Sequence, residues 1–404
     1  MSRSRPADVA IAGGGVVGAT CALALARLGL DIDLVEAQAP TDWREQTPDL
    51  RVYALAEDTV ALLDSLGVWT QVRAQRAVPY RRMRVWDAAG SGELAFDADN
   101  LGRAQLGWIV EHGLLQQVLW EALRRSTVRL HCPAQLQSLQ DTPGERATLR
   151  MQLDDGGVLQ ARLAVAADGA DSTLRRLAAI DVATTDYGQR ALVAYVATQR
   201  PLENTAWQRF LPTGPLALLP CMDGAFAEAA PGCLGSIVWT LPNTEAERLL
   251  AADADVFEQA LTHAFDRRLG DMRALTPRVG FPLRRQLAKD YLAGRVIAIG
   301  DAAHVVHPLA GQGVNLGLRD VAALRDSILG AQQRGIDWAT PARMQRWARR
   351  RRSDNATAAF AFDGINRLFS NDRPLPTLLR GPLLGLAGAL PGLRHALWQR
   401  AAGR

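Results

Sequence analysis

Three short stretches carry residue types whose spacing could do chemistry. The first is Gly13-Gly14-Gly15-Val16-Val17-Gly18, which places glycines in a G-x-G-x-x-G pattern with Glu36 eighteen residues further on. Gly13 would permit a tight turn, Gly15 would let the backbone approach a pyrophosphate, and Gly18 would let a helix pack closely on a strand. The N–H groups opening that helix would face the phosphates, and Glu36 could bind both hydroxyls of an adenosine ribose. A glutamate at that place disfavours a 2′-phosphate, so FAD or NAD fits and NADP does not. The second stretch is Leu163-Ala-Val-Ala-Ala-Asp168-Gly169-Ala170-Asp171-Ser172 with Arg175 following. Alone it reads as a strand running into a helix, with Ser172 or Asp171 as the cap. The third is Gly294-Arg-Val-Ile-Ala-Ile-Gly300-Asp301, a buried strand delivering an aspartate into a turn. It leads to His307-Pro308-Leu309-Ala310-Gly311-Gln312-Gly313-Val314-Asn315-Leu316-Gly317, whose glycines free backbone N–H groups for an electron-rich ring edge or an oxyanion.

Other reactive residue types lack a catalytic context. His304 and His307 are not joined by a third ligand at metal-binding spacing, so no metal is expected. Cys21, Cys132, Cys221 and Cys233 form no Cys-x-x-Cys pair and read as small buried residues in a reducing compartment. No Ser-His-Asp set, paired carboxylates or activated cysteine stands out, and no side chain is assigned as the acid or base catalyst.

The elements that must position the first motif are a strand over Asp8–Ala12, a helix reaching Leu28, and a strand over Asp31–Val35. Together they make a βαβ unit. Arg3 and Arg5 ahead of an apolar stretch imitate a secretory signal, but cleavage there would destroy that unit.

The order G-x-G-x-x-G, Asp-Gly, Gly-Asp resembles the FAD-dependent aromatic hydroxylases, the class A flavoprotein monooxygenases. The run from His307 to Asp320 is similar to the signature of the ubiquinone-biosynthesis hydroxylases among them. Asp49-Leu-Arg51-Val-Tyr-Ala-Leu55, Leu66-Gly-Val-Trp69, Pro79-Tyr-Arg-Arg-Met83 and Asp363-Gly-Ile-Asn-Arg-Leu-Phe369 support the likeness. The resemblance implies that Gly13, Gly15 and Gly18 hold the FAD pyrophosphate, Glu36 the adenosine ribose, and Asp301 the ribityl chain. It places Arg51 near the adenosine and phosphates, and Asp168 in a motif serving both flavin and nicotinamide. Pro308, Gly311, Gln312, Gly313, Val314 and Asn315 would lie along the isoalloxazine, with N–H groups of Gly313, Val314 or Asn315 at its pyrimidine edge. His112 is either a flavin contact or a surface histidine.

The fold implied is α/β: a Rossmann-type FAD-binding domain interleaved with a β-sheet substrate domain, plus C-terminal helices. The FAD domain is expected over residues 1–75, 99–180 and 275–330, the substrate sheet over 76–98 and 181–274, and the helical region over 331–404. Alternation at Ala191–Val196 and Gly235–Thr240 suits the sheet, and Phe210–Pro220 reads as strand, turn, strand. The activity implied is hydroxylation of a polyprenylated phenol or benzoquinol in ubiquinone biosynthesis. It would use non-covalent FAD, NADH or NADPH, and O2 through a flavin C4a-hydroperoxide.

Composition fits such an enzyme. The 404 residues are 48% apolar and 22% charged, which excludes disorder, coiled coil and collagen. No run of some 20 apolar residues appears. The net charge of +4 is unevenly placed: residues 341–404 hold twelve arginines against Asp354, Asp363 and Asp372, leaving the rest acidic. A basic tail rich in leucine between residues 373 and 404 reads as packed helices or as a surface for a membrane or a partner of the pathway. Nucleic acid is not expected. The location expected is cytoplasmic, with peripheral contact at the inner face of the membrane as an open alternative. Hydroxylation of a small soluble aromatic and a non-catalytic flavoprotein scaffold remain as competing readings. A flavin halogenase is disfavoured because no Trp-x-Trp pair occurs.

Overall fold

The computed structural model describes residues 6–88, 92–142, 148–224, 226–307 and 313–369. The chain opens with β1 (Ala7–Ala12), α1 (Val16–Ala26) and β2 (Ile32–Val35). α1 stops two residues short of the expected Leu28, and Gly29 (φ +78°) then turns the chain toward β2. Next come β3 (Val52–Leu55), β4 (Ala77–Tyr80), β5 (Gly107–Glu111) and α2 (His112–Arg124). The middle of the chain supplies β6 (Val158–Ala166), α3 (Thr173–Leu177), β7 (Val182–Thr198), β8 (Thr205–Leu211), β9 (Gly214–Pro220) and β10 (Leu234–Pro242). It closes with β11 (Val279–Ala288), β12 (Val296–Ala298), α4 (Gly313–Gln332) and α5 (Pro341–Phe369).

β1 is central in an eight-stranded sheet, flanked by β2 and β6 in parallel, with β12 parallel on the far side of β6. These strands are apolar runs because both their faces are covered, and Val9, Ile11, Val165 and Ile297 are fully buried. The register aligns their carboxyl ends: Ala12 pairs with Ala166 and with Val35, and Ala166 pairs with Ala298. The three chemistry-bearing turns therefore leave one edge of one sheet side by side. Carboxyl ends of parallel strands are where such sheets bind ligands.

A nine-stranded sheet holds β7, β8, β9, β10 and β11. One face packs Leu192, Leu216, Ile237 and Trp239 against helices over Asn243–Ala251 and Ala254–Ala264. The opposite face turns Ala191, Val193 and Val238 toward the turns of the first sheet. β11 runs with β7 through ten paired positions, so residues 279–288 lie in this sheet and not with the cofactor layer to which 275–330 was assigned. The expected strand–turn–strand is β8 and β9, paired from Trp207–Leu218 to Leu211–Gly214. A third sheet, β3–β5–β4, is antiparallel. Among the described residues no helix is long and apolar enough to cross a membrane. The leucine- and arginine-rich segment 373–404 lies outside the described residues.

Candidate functional site

A cavity of about 770 Å³ opens at the shared strand edge. Gly13 and Gly15 form one wall with the start of α1. Gly13 has φ +100°, and a Cβ there would stand 2.3 Å from the Ala167 carbonyl oxygen. A Cβ on Gly18 would fall 1.9 Å from the Gly13 oxygen, so Gly18 lies beneath the turn and not in the cavity wall. Gly15 differs, because a Cβ there would meet nothing within 4 Å. Gly15 also caps α1 without a side-chain hydrogen bond, so the first-turn N–H groups have no intrahelical acceptor.

Glu36 stands at the end of β2. Its Oε2 accepts the Gly14 N–H and its Oε1 the Gln38 N–H at 3.1 Å. The Trp120 indole N–H holds the Gly14 carbonyl from the other side at 2.7 Å. Beside it, the Arg51 guanidinium lies 5.4 Å from the centre of the Tyr53 ring, and the Tyr53 hydroxyl meets His112 Nδ1 at 2.8 Å. His112 lines the cavity, and burial, reinforced by Arg51, lowers its pKa. The histidine left open between cavity and surface is therefore in the cavity.

Asp168 lines the cavity, but its carboxylate is engaged with the chain itself. Oδ2 accepts the N–H groups of Thr173 and Leu174 at 2.7 and 3.1 Å, and Oδ1 accepts the Ser172 hydroxyl. Ser172 caps α3 as expected, accepting the Arg175 N–H at 3.0 Å. Asp171 does not cap; its carboxylate instead pairs with Arg284 at 3.0 Å. Buried Arg175 donates to the carbonyls of Ala170 and Ala302 at 2.8 and 2.9 Å, joining the second turn to the third.

Asp301 is exposed to the cavity and its carboxylate has no hydrogen-bond partner among the described residues. The turn that presents it is held from below. The Gly300 N–H (φ +58°) donates to Asp320 Oδ2 at 3.1 Å, and the same oxygen meets His304 Nε2 at 2.6 Å. Asp320 Oδ1 receives Arg351 Nε at 2.7 Å and Asn355 Nδ2 at 2.9 Å, both from α5. Burial pushes the Asp320 carboxyl up, but His304 and Arg351 hold it below the usual carboxylate range.

Gly313 and Val314, opening α4, line the cavity. The Asn315 side chain does not reach it. Its Oδ1 accepts from the Ala56 N–H and the Thr59 hydroxyl, both at 2.9 Å, and its Nδ2 donates to the Ala54 carbonyl at 2.8 Å. Asn315 therefore pins α4 to the segment after β3. Pro308, Gly311 and Gln312 lie outside the described residues. His307 is buried beside the Tyr187 ring, 5.2 Å between centres, and neither ring nitrogen has a partner among the described residues. Cys21 and Cys233 are buried, whereas Cys132 and Cys221 are only half-buried, since each sits at a strand end.

The model of the FAD binding domain family matches residues 6–361. The chain is 35% identical to the 3-demethoxyubiquinol 3-hydroxylase of Escherichia coli, over 96% of this chain and 95% of that one. It is 36% identical to the ubiquinone hydroxylase UbiL of Rhodospirillum rubrum, over 100% and 91%. The chain belongs to the FAD binding domain family, among the ubiquinone hydroxylases. Its fold is that of the p-nitrophenol 4-monooxygenase of Pseudomonas putida, with a TM-score of 0.75, 18% identity, and coverage of 97% and 96%.

The cavity of this FAD-dependent monooxygenase fits the family's cofactor. Gly15 leaves room beside donor N–H groups where a pyrophosphate needs both. The uncommitted Asp301 carboxylate can accept ribityl hydroxyls. Arg175, Asp320, Arg351 and Asn355, to which sequence reasoning gave no role, do not line the cavity; they hold the turns that do.

Proposed function

We propose that this monooxygenase hydroxylates the ring of a polyprenylated phenol or benzoquinol intermediate in ubiquinone formation, with NADH or NADPH and O2 as co-substrates. Bound FAD, reduced by the nicotinamide, supplies activation of O2 and delivery of one oxygen atom to the ring. The observation that carries the reading is the two-sided character of the cavity. One side is polar and glycine-lined, with Glu36 and Asp301 as acceptors. The other is the apolar sheet face of Ala191, Val193, Val238, Phe281 and Leu283, with Arg284 of β11 also in the lining and paired to Asp171 at 3.0 Å. A ring lying on that wall is oriented by packing, and the same wall excludes water from the reacting atoms.

Glu36 would bind the adenosine ribose, Asp301 the ribityl chain, and the N–H groups of Gly313 and Val314 the pyrimidine edge, where they stabilise negative charge on reduced flavin. The names and near-full-length identity of the bacterial relatives support the substrate class. The test is turnover under 18O2 with NADPH and 2-farnesylphenol. The expected product carries one 18O atom on the ring. Oxidation of NADPH without ring labelling would refute the reading.

A further inference from the structure

Of the charged pair Asp49 and Arg51 just ahead of β3, only Arg51 lines the cavity. Asp49 nevertheless uses every polar group it has. Its N–H donates to Glu111 Oε2 at 2.9 Å, and its carbonyl accepts the Tyr195 hydroxyl at 3.0 Å. Its Oδ1 accepts the Arg51 N–H and its Oδ2 the Gly113 N–H, both at 2.9 Å. The residues that hold Asp49 are themselves held. Glu111 is buried, accepts the Trp43 indole N–H at 2.8 Å and pairs with Arg76 at 3.0 Å. Tyr195 is buried in β7, so the substrate sheet grips the same residue by its carbonyl.

The carboxylate also finishes a helix. α2 begins at His112, and its N-cap residue Glu111 supplies no side-chain hydrogen bond. Asp49 takes that place from 64 residues away, accepting a first-turn N–H where negative charge is also favoured. Gly113 makes room for it: a Cβ there would come within 3.2 Å of Asp49 Oδ2. The His112 N–H donates to the Arg51 carbonyl at 2.9 Å, so Arg51 and His112 are tied to each other and to Asp49 by backbone. Because the Asp49 carboxylate is taken up by N–H groups, it does not neutralise Arg51. The Arg51 guanidinium has no hydrogen-bond or ion-pair partner among the described residues. An unpaired guanidinium on a cavity wall is a receptor for a phosphate.

We propose that Asp49 is a positioning residue that sets Arg51, with His112 beside it, against the pyrophosphate of the dinucleotide. It acts through the backbone of Arg51 and the first turn of α2, without touching the cofactor. The inference rests on the reading that FAD lies in this cavity with its phosphates toward Arg51.

The test is FAD affinity of the full-length apoprotein, followed by flavin fluorescence at increasing NaCl, in Arg51→Gln, Asp49→Ala and the double variant. Salt weakens a guanidinium–phosphate contact, so the slope reports whether Arg51 meets the phosphates. Arg51→Gln should bind FAD about tenfold more weakly, with a flatter salt dependence. Asp49→Ala should do the same with Arg51 still present, and the double variant should bind no more weakly than Arg51→Gln alone. Coulomb's law by itself predicts the reverse for Asp49→Ala, since losing a carboxylate near an anion favours the anion. Asp49→Asn keeps one acceptor; it should fall between wild type and Asp49→Ala, and it carries the test if the alanine variant does not fold. Unchanged or tighter binding in the Asp49 variant, a loss with the wild-type salt slope, or losses that add in the double variant would overturn the proposal. Unchanged affinity in Arg51→Gln would refute the placement of Arg51 and the proposal with it. A weakened Arg51→Gln beside a normal Asp49 variant would refute the positioning role alone.

Discussion

At the residue scale, the three glycines of the first motif separate into two jobs. Cβ atoms at Gly13 and Gly18 would collide with backbone, whereas one at Gly15 would enter the cavity. Gly15→Val should therefore abolish FAD binding while leaving the thermal unfolding of the apoprotein nearly unchanged, and Gly18→Val should lower both. Spectral titration with FAD and a melting curve distinguish them. Asp301→Ala removes an acceptor that supports no part of the fold. A hydrogen bond to a charged group contributes about 1.5–3 kcal/mol, so FAD should bind roughly tenfold or more weakly at unchanged stability. An unaltered dissociation constant would remove Asp301 from the site.

His307 gives a prediction about acid. Burial, opposed only by Asp363, lowers its pKa from 6.5 to about 4. Below 6.5 the unfolded chain binds a proton that the folded chain refuses, so this group makes stability fall as pH drops from 6.5 to about 4. The full loss is about 3 kcal/mol, at 1.36 kcal/mol per unit. His307→Phe should flatten that part of a pH–stability curve measured by urea unfolding. A curve of unchanged slope would place the acid sensitivity elsewhere.

At the element scale, three strands end in register, and this explains which part of the site could be read beforehand. Each motif declared itself locally, as an apolar run followed by glycine or aspartate, and parallel pairing brought the turns together. The supports were illegible because their partners are remote. Asp320 serves Gly300 twenty residues before it and receives Arg351 thirty-one residues after it. Asn315 meets Ala54, Ala56 and Thr59 across most of the chain. Asp168 has a second task that its motif did not declare: it lines the cavity, and its carboxylate also accepts the first N–H groups of α3. Arg351→Met should test the support. Leaving Asp320 buried without that partner costs about 3–5 kcal/mol. FAD affinity should fall with it, because the Gly300 turn hangs on the same carboxylate. Intact affinity in the destabilised variant would show that the turn holds without α5.

At the scale of the whole molecule, the arginines of residues 341–404 set a basic end against an acidic body. A substrate with a polyprenyl chain prefers a bilayer, and basic residues near an anionic surface contribute about 1 kcal/mol each. Salt-sensitive binding to anionic liposomes is expected, and deletion of residues 381–404 should reduce it with FAD retained. Loss of flavin on truncation would instead show that the segment packs against the cofactor layer.

The alignment of Ala12, Ala166 and Ala298 has a thermodynamic side. A cofactor filling the cavity that Gly15, Asp168 and Asp301 line would bridge points far apart in the chain. It would act as a non-covalent clasp across a long loop of the chain. Closing so long a loop costs little more entropy than closing a short one, because the cost grows only with the logarithm of length. Free FAD above its dissociation constant would shift the folding equilibrium of the chain by mass action, because it binds the folded state alone. Flavin supply then sets how much of this chain is folded as well as how much is active.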